Sequence, residues 1–137
     1  MPGNNAPIFS KVARAEWVNG LSAANTAKDG TGTVDTVFTS DPVNGSYAQK
    51  MIIRPRGTNV ASVLRVFLNN GLTNATAANN TLIAEIGLPA TTNTEVGALS
   101  GLELPLNIPL PPSDRLQVTL GTAVAGGYAV TVIGGDY

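Results

Sequence analysis

From Leu102 to Pro112 the chain reads Leu-Glu-Leu-Pro-Leu-Asn-Ile-Pro-Leu-Pro-Pro, and every even position from 102 to 110 is Leu or Ile. Strict alternation of this kind describes an extended strand with one wholly apolar face. Pro105, Pro109 and Pro111 all fall on odd positions. Alternate residues of a strand direct their backbone N–H groups to opposite neighbours. The donors that proline lacks are therefore all missing on one side, and that side is an open edge. The segment reads as an edge strand that pairs through its even residues and carries its own guard against edge-to-edge association.

The same period of two runs through the rest of the chain. Leu116, Val118 and Leu120 alternate with Gln117 and Thr119, and Tyr128, Val130 and Val132 alternate with Ala129, Thr131 and Ile133. Eight segments qualify as strands: 12–18, 32–39, 46–54, 60–68, 81–88, 99–110, 114–120 and 127–133. Asn44-Gly45 predicts a type I′ hairpin between the second and third, because both residues tolerate positive φ. Asn19-Gly20 and Asn70-Gly71 mark further turns, and Ala125-Gly126-Gly127 closes a last hairpin. Eight short strands at this spacing fit an all-β, jelly-roll-like antiparallel β-sandwich. Helix should be scarce, with Leu21 to Lys28 and Asn74 to Asn79 the two short candidates.

Strand 60–68 carries Leu64, Val66 and Leu68 on one face, and Val63 and Phe67 on the other. Two apolar faces require cover on both sides, from a loop of the same chain or from a neighbouring subunit. Arg65, between Val63 and Phe67, then needs a carboxylate or carbonyl partner. The domain is expected over residues 11–137, preceded by an N-terminal arm over residues 1–10. Pro2, Gly3 and Pro7 oppose regular structure in that arm, and Ile8 and Phe9 offer apolar side chains to a neighbour's pocket.

The residue types limit the chemistry. There is no His and no Cys, so the commonest general base, the usual transition-metal ligands and all thiolate chemistry are missing. No GxSxG or SxxK motif occurs. Glu16, Asp35, Glu85, Glu95 and Glu103 would have to meet in a cleft to act as acid and base, and solvated strand faces and turns are the plainer use. Asp29-Gly30-Thr31-Gly32-Thr33 lacks the further carboxylates of a calcium loop and the Gly-Lys-Ser/Thr of a phosphate cradle, and reads as a turn. The expectation is a protein that is not an enzyme and holds neither cofactor nor metal.

Charged residues make up only 12% of the chain and its net charge is −1, which suits an assembly and argues against nucleic acid. No apolar run reaches the roughly 18 residues of a membrane span, and no apolar leader opens the chain, so synthesis in the cytoplasm and no membrane association are expected. Residues 1–80 carry seven basic and four acidic side chains, residues 81–137 one basic and five acidic. Such asymmetry could steer one subunit's basic side to a neighbour's acidic side, or belong to an ordinary mixed surface. A carbohydrate- or receptor-binding module is the alternative function. Sugar sites need exposed aromatic platforms, and most of Phe9, Trp17, Phe38, Tyr47, Phe67, Tyr128 and Tyr137 fall where core packing is the default.

Three stretches carry a resemblance: Thr26-Ala27-Lys28-Asp29-Gly30-Thr31-Gly32-Thr33-Val34; Arg54-Pro55-Arg56-Gly57-Thr58-Asn59-Val60-Ala61 with Phe67-Leu68-Asn69-Asn70-Gly71; and Val130-Thr131-Val132-Ile133-Gly134-Gly135-Asp136-Tyr137. Together, over about Pro7 to Tyr137, they resemble capsid decoration (cement) proteins of tailed bacteriophages. The resemblance implies a β-sandwich, a trimer, bound to major capsid protein on the outer surface of a phage head. It transfers no catalytic residue. The candidate contact residues are Pro7, Ile8 and Phe9 of the arm, Arg54 and Arg56, and Val63, Arg65 and Phe67.

Overall fold

The computed structural model describes residues 10–137. Eight strands follow one another: β1 (Val12–Leu21), β2 (Asp35–Thr39), β3 (Ser46–Pro55), β4 (Ser62–Asn69), β5 (Asn80–Leu88), β6 (Leu102–Leu110), β7 (Arg115–Leu120) and β8 (Tyr128–Asp136). All eight expected strands are present. Among the described residues the helical content is one 3₁₀ turn, Ala77–Asn79, inside the second helix candidate. The first candidate, Leu21 to Lys28, forms no helix.

The strands make two antiparallel sheets. The first has the order β1-β8-β3-β6 and the second β2-β7-β4-β5. Every connection except β4–β5 crosses from one sheet to the other, which is the wiring of an eight-stranded jelly roll. The core lies between the sheets. Met51, Ile53, Val130 and Val132 from the first meet Phe38, Leu64, Val66, Leu116, Val118 and Leu120 from the second.

β6 is an edge, as its prolines require. Its even residues face the core and Glu103, Pro105, Asn107 and Pro109 face out. The alternation conceals a bulge: Ala48 pairs with Ile108 but Lys50 with Pro105, so two residues of β6 oppose the lone Gln49. Asn107 absorbs the irregularity at φ 51°, a region that Asn tolerates better than most residues.

Three turn expectations need correction. Asn44-Gly45 is not a hairpin, because β2 and β3 belong to different sheets. Gly45 has φ +79° while Asn44 has no positive φ, so the turn is not type I′. The Asp41 carboxylate accepts the N–H groups of Val43 and Asn44 (3.0 and 2.7 Å) and organises a crossover instead. Ala125-Gly126-Gly127 also joins strands of different sheets. Asn19-Gly20 lies inside β1, where the register with β8 shifts between Val18 and Leu21. In each case the glycine was read correctly as a special backbone position, but sheet assignment depends on distant partners.

The outer face of the second sheet is covered by its own chain over β7 and β4, while the outward residues of β5, Thr81, Ile83, Glu85 and Gly87, stay exposed. Residues 25–34 leave the edge of β7, where the Asn25 N–H donates to the Leu120 carbonyl (2.8 Å). They return at Asp35, which pairs with Val118. Between these points they reach the start of β5, so they must cross the outer face over β7 and β4. Asn80 donates to the Asp29 carbonyl (3.1 Å). The Asn74 amide clamps the carbonyls of Gly30 and Gly32 (3.1 and 2.8 Å), and the Asn25 amide those of Thr31 and Thr33 (2.9 and 2.8 Å). Positive φ at Gly30 and Gly32 lets successive carbonyls turn to opposite sides, so two amides can hold one short loop. Phe67, on the outer side of β4, is 0% exposed. Of the two sources of cover expected for strand 60–68, the loop of the same chain provides it at Phe67.

Candidate functional site: the exposed face and edge of the first sheet

The candidate contact residues do not form one surface. Pro7, Ile8 and Phe9 lie outside the described residues. Arg54 is exposed on the outer side of β3 and runs along Gly101, where any side chain would collide with it. Arg56 is exposed beside Gly20 at the β1 bulge. Val63, Arg65 and Phe67 sit across the sandwich on the second sheet. The chain changes sheet after Pro55, and that step separates the two groups. Phe67, fully buried, offers no surface to a partner.

Arg65 has its carboxylate within the chain. It pairs across the ladder with Glu85, and its Nε donates to the Glu85 carboxylate (2.8 Å). The side chain is 11% exposed and lies against Gly121. Arg65 Nη1, Gln117 Oε1 and Thr119 Oγ1 are buried without partners. Arg65 pairs in register with Thr119, and Phe67 with Gln117, so these atoms share one layer beneath the 25–34 loop, where trapped water is their ordinary partner.

Charge asymmetry along the chain is partly met by internal ion pairs, which engage three of the seven basic side chains of residues 1–80. Arg14 bridges to Asp136 (2.9 Å) and also to Glu16, Lys50 pairs with Glu103 (3.5 Å), and Arg65 with Glu85. Except for Arg14–Glu16, each pair joins the basic first part of the chain to its acidic second part. Burial opposes the charge on Arg14, but the hydrogen bonds it donates to Asp136 and Glu16, with their negative charges, outweigh it and hold the guanidinium above its ordinary value. The guanidinium also lies 4.6 Å from the centre of the Phe38 ring.

The acidic side chains considered for acid–base work are dispersed. Glu85 faces out from the second sheet and Glu103 from the first. Glu16 is held by Arg14 and by the Thr39 N–H (3.2 Å). Glu95 is exposed in the connection before β6. Among the described residues no three His, Cys, Asp or Glu side chains gather as metal ligands, and no helix is long and apolar enough to cross a membrane.

What remains open is the first sheet's outer face. Register aligns Trp17, Thr131, Ile52 and Glu103 in one row across its four strands, and Ala15, Ile133, Lys50 and Pro105 in the next. Ile52 and Ile133 are half-buried, and Ala13, Ala15 and Pro105 are exposed. Trp17 is 61% exposed, against the expectation of a core residue. Arg14, Glu16 and Val18 turn inward from β1, so the pleat sends Trp17 out. The signal for this face was present in Ala129, Thr131 and Ile133, whose small or apolar side chains leave β8 without a polar side. Beside Trp17, a shallow depression of about 330 Å³ is lined by Ala15, Glu16, Thr36 and Val37, where the edges of β1 and β2 lie side by side.

Comparison with known proteins adds little to this geometry. No protein-family model matches the chain, and no curated protein matches it. A solved chain described as the structure of infectious bursal disease virus Gx strain aligns over 97% of this chain at 12% identity and a TM-score of 0.30. This chain spans 36% of the length of that one. The likeness is too slight to argue from.

Proposed function

We propose that the protein is a structural component of a virus particle, a decoration protein that attaches to major capsid protein on the outside of a tailed-phage head and stabilises it. It works by contact alone, without catalysis, cofactor, nucleic acid or membrane. The observation that supports this reading is the unequal treatment of the two outer faces. The second sheet spends ten residues and three asparagine side chains covering itself. The first sheet leaves an uncovered face built around Trp17, Ile52 and Ile133, whose charges are Arg54 and the ion pair Lys50–Glu103. An uncovered apolar cluster on one sheet face marks a protein-contact site.

The test is binding of the purified protein to heads assembled without it, read as copies bound per head and as the temperature at which the heads release their contents. Ile52→Glu, on the exposed face, should abolish binding while leaving the sandwich folded. Unchanged occupancy by Ile52→Glu, or no binding by the parent protein, would refute the reading. Exposure of Trp17 beside a depression favours the alternative, a carbohydrate- or receptor-binding module. Quenching of Trp17 fluorescence by host-surface polysaccharide, abolished in Trp17→Ala, would select that alternative.

A further inference from the structure

The two edges of the first sheet are treated differently. β6 is guarded by Pro105 and Pro109 and broken by its bulge. β1 contains no proline from Val12 to Leu21, and among the described residues its backbone ladder runs to β8 alone. The edge of β2 lies beside its other side without a ladder, and the Thr39 N–H of β2 donates to the Glu16 carboxylate (3.2 Å). Its ladder with β8 is regular from Val12 to Val18 and breaks at the bulge. The midpoint of that regular run is Ala15.

We infer that β1 pairs with β1 of a second copy, antiparallel, about a twofold axis at Ala15, so that two first sheets become one continuous sheet. This goes beyond the virion reading and does not depend on it. Facing residues of an antiparallel ladder share one side of the sheet, so the axis must pass a residue, and the charges select which. With the axis at Ala15, Arg14 lies opposite Glu16 of the second copy, and Glu16 opposite its Arg14. An axis one residue earlier would set Arg14 against Arg14, and one residue later Glu16 against Glu16. Like charges directly opposite destabilise a ladder. On the outer side the same register places each Trp17 opposite Ala13 of the second copy, next to Ala15, where short side chains leave room for an indole. Val12, also exposed, meets Val18. One register therefore opposes unlike charges, covers the exposed indole and uses the whole regular run.

The contact is isologous, each copy presenting the same strand. The trimer implied by the resemblance would need two unlike surfaces to meet, whereas β1 is complementary to itself.

Cysteine substitution tests the register, because the chain has no cysteine of its own. Opposed Cβ atoms in such a ladder stand about 4.5–5.5 Å apart, near enough for a disulfide. Oxidised Ala15→Cys should run as a covalent dimer and Ala13→Cys as a single chain, since residue 13 faces residue 17. The unsubstituted protein should scatter light as twice the chain mass. Ala15→Lys, which sets like charges on the axis at an exposed position, should scatter as one chain mass with an unchanged strand signature in circular dichroism. An unsubstituted protein of one or three chain masses, or equal cross-linking by both cysteine variants, would overturn the inference.

Discussion

Replacing Asn59 by Ala should destabilise the sandwich by about 3 kcal/mol, more than most single substitutions. Asn59 follows β3 and is 3% exposed. Its Oδ1 accepts the N–H groups of Gly126 and Gly127 (2.7 and 3.0 Å), and its Nδ2 donates to the Gly127 carbonyl (3.2 Å). Its own backbone is bridged in both directions to Thr91. One side chain thus ties the crossover before β8 to the crossover after β3. Gly57 and Gly126 pack backbone to backbone beside it. A net protein hydrogen bond is worth about 1 kcal/mol, and a buried group left without a partner costs about 1–3 kcal/mol. Three bonds are lost here, and the Gly127 groups are buried, which leads to about 3 kcal/mol. Asn59→Asp retains an acceptor for both glycine N–H groups, but buries a carboxyl and loses the amide donor. Its neutral form offers an O–H donor to the Gly127 carbonyl in place of Nδ2, whereas the buried carboxylate offers none, so its cost should be larger at neutral pH than in acid. Urea unfolding followed by Trp17 fluorescence gives both values. A loss below about 1 kcal/mol for Asn59→Ala, with an unchanged denaturant slope, would show that the crossovers do not depend on this amide.

Gly134→Ala should be as damaging by a different route: the new methyl would overlap the Tyr47 carbonyl oxygen, and neither backbone can yield cheaply, so a loss of at least about 1–3 kcal/mol is expected in the same urea assay. Arg65→Met should change monomer stability by less than about 1 kcal/mol. It removes a nearly buried cation with an unpaired Nη1 and leaves Glu85, 44% exposed, to water; a larger loss would mean that the ion pair itself holds β4 to β5. The acid limb of stability should reflect opposing carboxyls. Asp41 is held below its ordinary value by the N–H groups of Asn44 and Val43, so its contribution is complete above the unfolded value and lost as pH falls through the folded one. Burial raises Asp114, which reverses the sign: its cost is present at neutral pH and relieved on acidification. Asp114→Asn should therefore stabilise the protein at neutral pH, with a gain that shrinks in acid, and Asp41→Asn should destabilise it at neutral pH, with a loss that shrinks in acid; a pH series of melting temperatures for the two variants checks both signs.

Legibility of the sequence followed the range of the interactions. The apolar row of β6 and its proline-blocked edge were readable because strand alternation and a missing N–H are properties of adjacent residues. The eight strands were readable for the same reason, as were the special backbone positions at Gly20, Gly45, Gly71 and Gly127. Which sheet each strand joins was not. Asn44-Gly45 has good hairpin chemistry, yet β3 lies between β8 and β6, with Met51 and Ile53 in the core between the sheets. Asp29 to Thr33 read as a turn, whereas the strand expected from residue 32 begins only at Asp35; the placing of residues 25–34 depends on Asn74 and Asn80, more than forty positions away from the loop carbonyls they hold. Trp17 gave the clearest divergence. By composition an only tryptophan belongs in the core, but Arg14 finds Asp136 and the Phe38 ring on the inner side of β1. Once those contacts claim the inner positions, alternation sends the indole outward. Local backbone chemistry set the strands, and the long-range competition for the two faces of each strand set the surface on which function depends.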